Sequence, residues 1–113
     1  MEILSSPIRK DDLLGRSKSP FPDMVKAVVD VRRERVAIGA ELHADLEALL
    51  LESGSQQEDL RGINLYPEEN ATDWIEFTAP INIRPSADNG DMEIKNPEIR
   101  REITRIVAVV IRE

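Results

Sequence analysis

Residues 35–52, RVAIGAELHADLEALLLE, constrain the fold more than any other stretch of this chain. Val36, Ile38, Ala40, Leu42 and Ala44 alternate with Arg35, Ala37, Gly39, Glu41, His43 and Asp45. A strand with one buried face needs such a pattern, because successive side chains point to opposite sides of a sheet. The alternation predicts a strand over 35–44, a bend at 45–47 and a further strand over 48–52. Ser53-Gly54-Ser55 supplies the next turn. A helix over 40–52 is the competing reading. The residues from Ala44 onward are strong helix formers, and Leu42, Leu46, Leu49 and Leu50 also lie at helical spacing.

The flanking segments repeat the strand pattern. Val25, Ala27, Val29 and Val31 alternate with Lys26, Val28 and Asp30, and Arg32-Arg33-Glu34 reads as a hairpin turn into the next strand. Further on, Ile63 and Leu65 oppose Asn64 and Tyr66 until Pro67 stops the run. Over 74–78, Ile75 and Phe77 oppose Trp74, Glu76 and Thr78. Over 81–84, Ile81 and Ile83 oppose Asn82 and Arg84, and Pro85 ends the run. Residues 1–4 read as an edge strand, and Ser5-Ser6-Pro7 as the start of a short helix through Leu13 and Leu14. A loop over 85–96 carries a turn at Asn89-Gly90. Asn96-Pro97-Glu98 then starts a helix to the end of the chain, with Ile99, Ile103, Ile106, Val107 and Val110 at helical spacing. Its closing VAVVI is apolar almost all round, so those residues are either covered or meet another subunit.

The fold expected is therefore α+β: one domain over 1–113, a five- or six-stranded antiparallel meander, the C-terminal helix on one face and a short N-terminal helix. With 113 residues there is material for one core, and with two Phe, one Tyr and one Trp that core has to be aliphatic. No cysteine is present, which removes disulfides, thiolate metal sites and a cysteine nucleophile. No apolar run approaches the roughly 20 residues of a membrane span, and the N-terminus lacks a leader pattern, so a cytoplasmic protein is expected. A net charge of −7 disfavours nucleic acid, since the basic residues are scattered in small clusters.

If one sheet face packs on the C-terminal helix, the other carries Glu41, His43, Asp45, Asn64, Tyr66, Trp74, Glu76, Asn82 and Arg84. Tyr, Trp and Arg are the residue types enriched at binding hot spots. The leading expectation is a binding or oligomeric assembly module using this face, with Asn64, Tyr66, Trp74 and Asn82 as contacts and a second copy or a protein as partner. The alternative is a metal-independent hydrolase or RNase-like enzyme. There His43 acts as general acid/base, Glu41 or Glu76 orients it, and Arg84 stabilises a developing anion. A metal held by His43 with Glu41, Asp45 or Glu76 is disfavoured, because alternate residues of one strand stand ~7 Å apart. No metal or cofactor is expected.

The segments MVKAVVDV, GAELHADLEALLLESGSQQEDLRGINLYPE, WIEF and INIRPS, followed by NPEIR, resemble a family of small prokaryotic proteins classed only as a domain of unknown function. The resemblance spans residues 24–100 and implies no activity or residue role. The family's loop after INIRPS carries another basic residue and fewer acids, whereas this chain reads ADNGDMEI, which weakens an anion-binding role for that loop.

Overall fold

The β-branched run after Asp23 forms the central strand of the sheet, as its alternation requires. The computed structural model describes residues 1–17, 19–84 and 89–113. In chain order the elements are β1 (Glu2–Ile3), β2 (Ile8–Arg9), α1 (Leu13–Ser17), β3 (Val25–Asp30), β4 (Arg35–Ile38) and α2 (His43–Glu52). They continue with β5 (Leu60–Leu65), β6 (Ile75–Glu76), α3 (Pro97–Val110) and β7 (Ile111–Arg112). Five strands make an antiparallel sheet in the order β1-β4-β3-β5-β6, and β2 pairs in parallel with β7. The architecture is α+β, with α3 the C-terminal helix and α1 the short N-terminal one. The N-terminal helix is shorter than expected, because β2 and a 3₁₀ turn at Lys10–Asp12 occupy its first residues. Likewise α3 gives way to β7 at Ile111.

The β3–β4 hairpin turns where Arg32-Arg33-Glu34 predicts. Asp30, fully buried, accepts from the Arg32 and Arg33 backbone N–H groups at 3.0 and 2.9 Å, and from the Ser55 hydroxyl. Glu34 takes a left-handed φ of 58° and donates its N–H to the Asp30 carbonyl. A buried carboxylate with that many donors fixes the turn by hydrogen bonding.

The reading of 35–52 as a strand hairpin is overturned after Ile38. Gly39 has φ +99°, and a Cβ there would stand 3.1 Å from the Met1 Cα. Only glycine takes this bend readily, with the N-terminus laid against it. Residues 43–52 are then helical, the competing reading. The two leucines one turn apart, Leu46 and Leu50, are fully buried against Val28, Ala37 and Leu60. Burying each is worth about 1.5–3 kcal/mol. Together with helix propensity this outweighs a local alternation in which Leu42 stays 57 % exposed.

The consequence for the sheet is large. Val25, Ala27 and Val29 of β3 and Ile63 and Leu65 of β5 join Val36 and Ile38 in a core closed by Ile103, Ile106 and Val107 of α3. Even-numbered residues face α2. Most of the second side is thus covered too, in contrast to the expected sheet with one wet face, and α2 is the cover over β3, β4 and β1. The expected strand over 81–84 is also absent. Pro80–Asn82 is a 3₁₀ turn, and Arg84 makes only an isolated bridge to Asn89. Pro80 presets the turn, and Asn82, 1 % exposed, fills the place of a neighbouring strand. Its Oδ1 accepts from Gly62 N–H at 2.8 Å while its Nδ2 donates to the Gly62 carbonyl at 2.9 Å. The loop expected over 85–96 begins in residues 85–88, outside the described ones. The Asn96 side chain caps α3, accepting from Glu98 and Ile99 N–H, with Pro97 at the first position as expected.

Candidate functional site

The polar residues of the α2-side face converge where α2 stops covering it. α2 packs on β3, β4 and β1. In strand register, Lys26 of β3 lies opposite Asn64 of β5, and Asn64 opposite Glu76 of β6. The three side chains therefore form one row across the sheet, with Tyr66 two residues beyond Asn64 on the same face. Asn64 Nδ2 donates to Glu76 Oε1 at 2.8 Å and to the Thr78 carbonyl at 3.1 Å. The Tyr66 hydroxyl donates to the same Oε1 at 3.2 Å. Burial and the Glu76 charge push the Tyr66 phenol up, so it stays a neutral donor. Lys26 holds its ammonium 5.2 Å from the centre of the Phe21 ring.

His43 borders this row from the first turn of α2. Its ring is 5 % exposed, and Nε2 lies 2.9 Å from the Ile63 carbonyl oxygen. A carbonyl only accepts, so the neutral ring carries its proton on Nε2. Burial holds the imidazole below its usual range, and the Lys26 charge acts in the same sense. The bond to Ile63 and, more weakly, Asn64 oppose them. Asn64 Oδ1 is buried with no hydrogen-bond donor among the described residues.

The remaining expected site residues are dispersed. Glu41 is exposed in the bend before α2. Arg84 pairs with Glu47 at 3.4 Å and donates to the Gln57 and Ile81 carbonyls, one helical turn beyond His43. Trp74 lies outside β6 and packs in the α3-side core, with the Lys10 ammonium 4.5 Å from its ring centre. Asn82 is spent on Gly62. The set His43, Glu41, Glu76 and Arg84 thus does not assemble around one point. Its proposed base is buried with one nitrogen bonded, and its proposed anion stabiliser is already paired. Of the expected binding contacts, Asn64 and Tyr66 come together, joined by Glu76.

Sequence reasoning missed Lys26, whose place in the row depends on the β3–β5 register. It also missed Lys10, read as part of a helix. Two arginines of the last helix are neutralised: Arg105 bonds Glu34 and Glu102, while Arg100 pairs with Glu93 over the Phe77 ring. Among the described residues no three His, Cys, Asp or Glu side chains are grouped to hold a metal, and no helix is long and apolar enough to cross a membrane.

No curated protein and no solved structure matches the chain. A family model covers nearly all of it, including the ELHAD, GINLYP and WIEF segments that carry the resemblance. Matched over residues 2–110, the chain belongs to the family described as "Protein of unknown function (DUF5674)".

Proposed function

We propose that this domain is a non-catalytic assembly module that pairs with a second copy through the Lys26–Asn64–Glu76 row. One observation carries the reading: the row holds a cation and a carboxylate oxygen that the described residues leave unpaired. Lys26 has no ion-pair partner among the described residues, and both bonds to Glu76 fall on Oε1, which leaves Oε2 for an outside donor. Two strand spacings of ~4.8 Å put the Lys26 and Glu76 backbone positions about 10 Å apart, with Asn64 between them. A two-fold axis near Asn64 reverses the order of the row in the second copy. Each ammonium then meets the other copy's carboxylate, the self-complementarity an isologous contact requires. Tyr66 and Phe21, both half-buried, supply the aromatic part of the contact.

Sedimentation velocity over a concentration series tests it. Wild type is expected to self-associate. Lys26→Glu and Glu76→Lys are each expected to be monomeric, and the double exchange to associate again. A wild type that stays monomeric up to its solubility limit refutes the proposal, as does a double exchange that fails to restore pairing.

A further inference from the structure

A second site lies on the other side of the sheet, independent of the self-association surface. A hollow of about 320 Å³ opens between the loop before β6, the end of α3 and β7, lined by Lys10, Trp74, Thr104, Ala108, Ile111 and Arg112. Its size falls at the lower end of small-molecule pockets.

Lys10 is 8 % exposed, an unusual place for an ammonium. One of its N–H groups donates to the Glu69 carbonyl at 3.1 Å, and the charge stands 4.5 Å from the centre of the Trp74 ring. Among the described residues the one carboxylate within 4.0 Å of it belongs to Glu113, at 3.6 Å, beyond hydrogen-bond length, on a side chain 78 % exposed. A buried ammonium has three donors, and among the described residues these find the Glu69 carbonyl and a distant, wet carboxylate. Burying a charge costs heavily unless it is paired and hydrogen-bonded. Arg112 adds a second cation at the rim, in a chain whose net charge is −7. The lining also holds apolar groups: the indole, Ala108 and Ile111.

We infer that this hollow binds a small monocarboxylate. The ligand carboxylate takes the place at Lys10 Nζ that Glu113 now holds loosely, and its apolar tail lies along Trp74, Ala108 and Ile111. Glu113 then acts as a built-in competitor, since its carboxylate and the ligand's seek the same donor.

Trp74 is the single tryptophan of the chain, so its fluorescence reports on this hollow directly. Hexanoate is the probe, and hexanamide is the uncharged control of the same shape. Wild type is expected to show a saturable change with hexanoate and to bind hexanamide at least about tenfold more weakly, the worth of one charge-assisted hydrogen bond. Glu113→Gln removes the competitor and is expected to tighten hexanoate about two- to fivefold, the range of an exposed ion pair. Lys10→Met is expected to bind hexanoate no better than hexanamide. If circular dichroism shows that Lys10→Met does not fold, Glu113→Gln decides alone. The inference is overturned if hexanoate gives no saturable change in wild type and Glu113→Gln, if hexanamide binds equally well, or if Glu113→Gln leaves the hexanoate affinity unchanged.

Discussion

The replacement Asn82→Leu tests how the edge of β5 is closed. β6 pairs only with Asn64 and Leu65, so the outward N–H and C=O of Gly62 have no strand to meet. The Asn82 amide takes both, at 2.8 and 2.9 Å, and its second N–H reaches the Met92 carbonyl at 3.1 Å. Leucine has the same branching and number of heavy atoms and makes none of these bonds. Leaving a buried donor or acceptor unpaired costs about 1–3 kcal/mol, so the two Gly62 groups together cost about 2–6 kcal/mol. Against a typical total of about 5–15 kcal/mol this is a large share. At about 4 °C per kcal/mol for a domain of this size, the thermal midpoint falls by about 8–24 °C. Urea unfolding followed by Trp74 fluorescence and by circular dichroism gives the difference in stability. Asn82→Asp sharpens the test. It keeps an acceptor for Gly62 N–H but turns a carboxylate toward two carbonyls, so its deficit should narrow as pH falls and the carboxyl regains a donor. A leucine variant within about 0.5 kcal/mol of wild type, the usual scatter of surface changes, refutes the argument.

Gly62 is explained by the neighbouring Ala79. A Cβ there would stand 2.4 Å from the Ala79 Cβ, so Gly62→Ala is expected to cost about 1–3 kcal/mol, and Ala79→Gly in the same chain should recover part of it in a double-mutant cycle. Asp30→Ala strips the acceptor from two turn amides and the Ser55 hydroxyl, with an expected loss of about 2–4 kcal/mol in urea. His43 gives a pH signature. Its folded pKa lies below the ordinary 6.5, so the unfolded chain takes up the proton first as pH falls. Its contribution is therefore complete above pH 6.5 and is lost as pH drops from there toward the lowered value. Unfolding curves of His43→Gln should lack that part of the wild-type slope, and equal slopes in the two proteins count against a buried neutral ring.

Legibility followed the range of the interaction that decided each element. α3 was readable because its signals are local: the Asn96-Pro97 start and a stripe at 99, 103, 106 and 107 lie within one element. The faces of β3 and β5 were readable too, since period two separates Val25, Ala27, Val29, Ile63 and Leu65 from Lys26 and Asn64 without reference to anything else. Residues 35–52 failed for the opposite reason. The alternation there is real over β4 and then continues by coincidence through a bend. What ends the strand is the left-handed Gly39 pressed against Met1, a contact between distant residues. Asn82 failed likewise: the pattern asks for a strand at 81–84, and the chain instead meets Gly62 with one side-chain amide. The site shows the same division. Asn64, Tyr66 and Glu76 share a face by parity, whereas Lys26 joins them only through register, and His43 only because α2 docks there.

That last dependence is what allows the polar row to exist. Had residues 48–52 formed a strand, the even-numbered face would be wet throughout, and Lys26 and Glu76 would be two charges among many. As a helix, α2 buries Val28, Ala37 and Leu60 under Leu46 and Leu50 and lies on β3, β4 and β1. It seals one part of the face and leaves the Lys26–Asn64–Glu76 part beyond its first turn, where His43 closes the boundary through its bond to Ile63. Stabilising α2 at its start tests this. Gly39→Ala is strained by the φ of +99° and the 3.1 Å approach to Met1. The informative change is therefore Leu42→Asp, which supplies the side-chain cap that α2 lacks at its N-cap. An aspartate there should stabilise the protein by about 0.5–2 kcal/mol and leave self-association through the row intact. A loss of association without loss of stability would show that the exposed Leu42, and not the charged row, makes the contact.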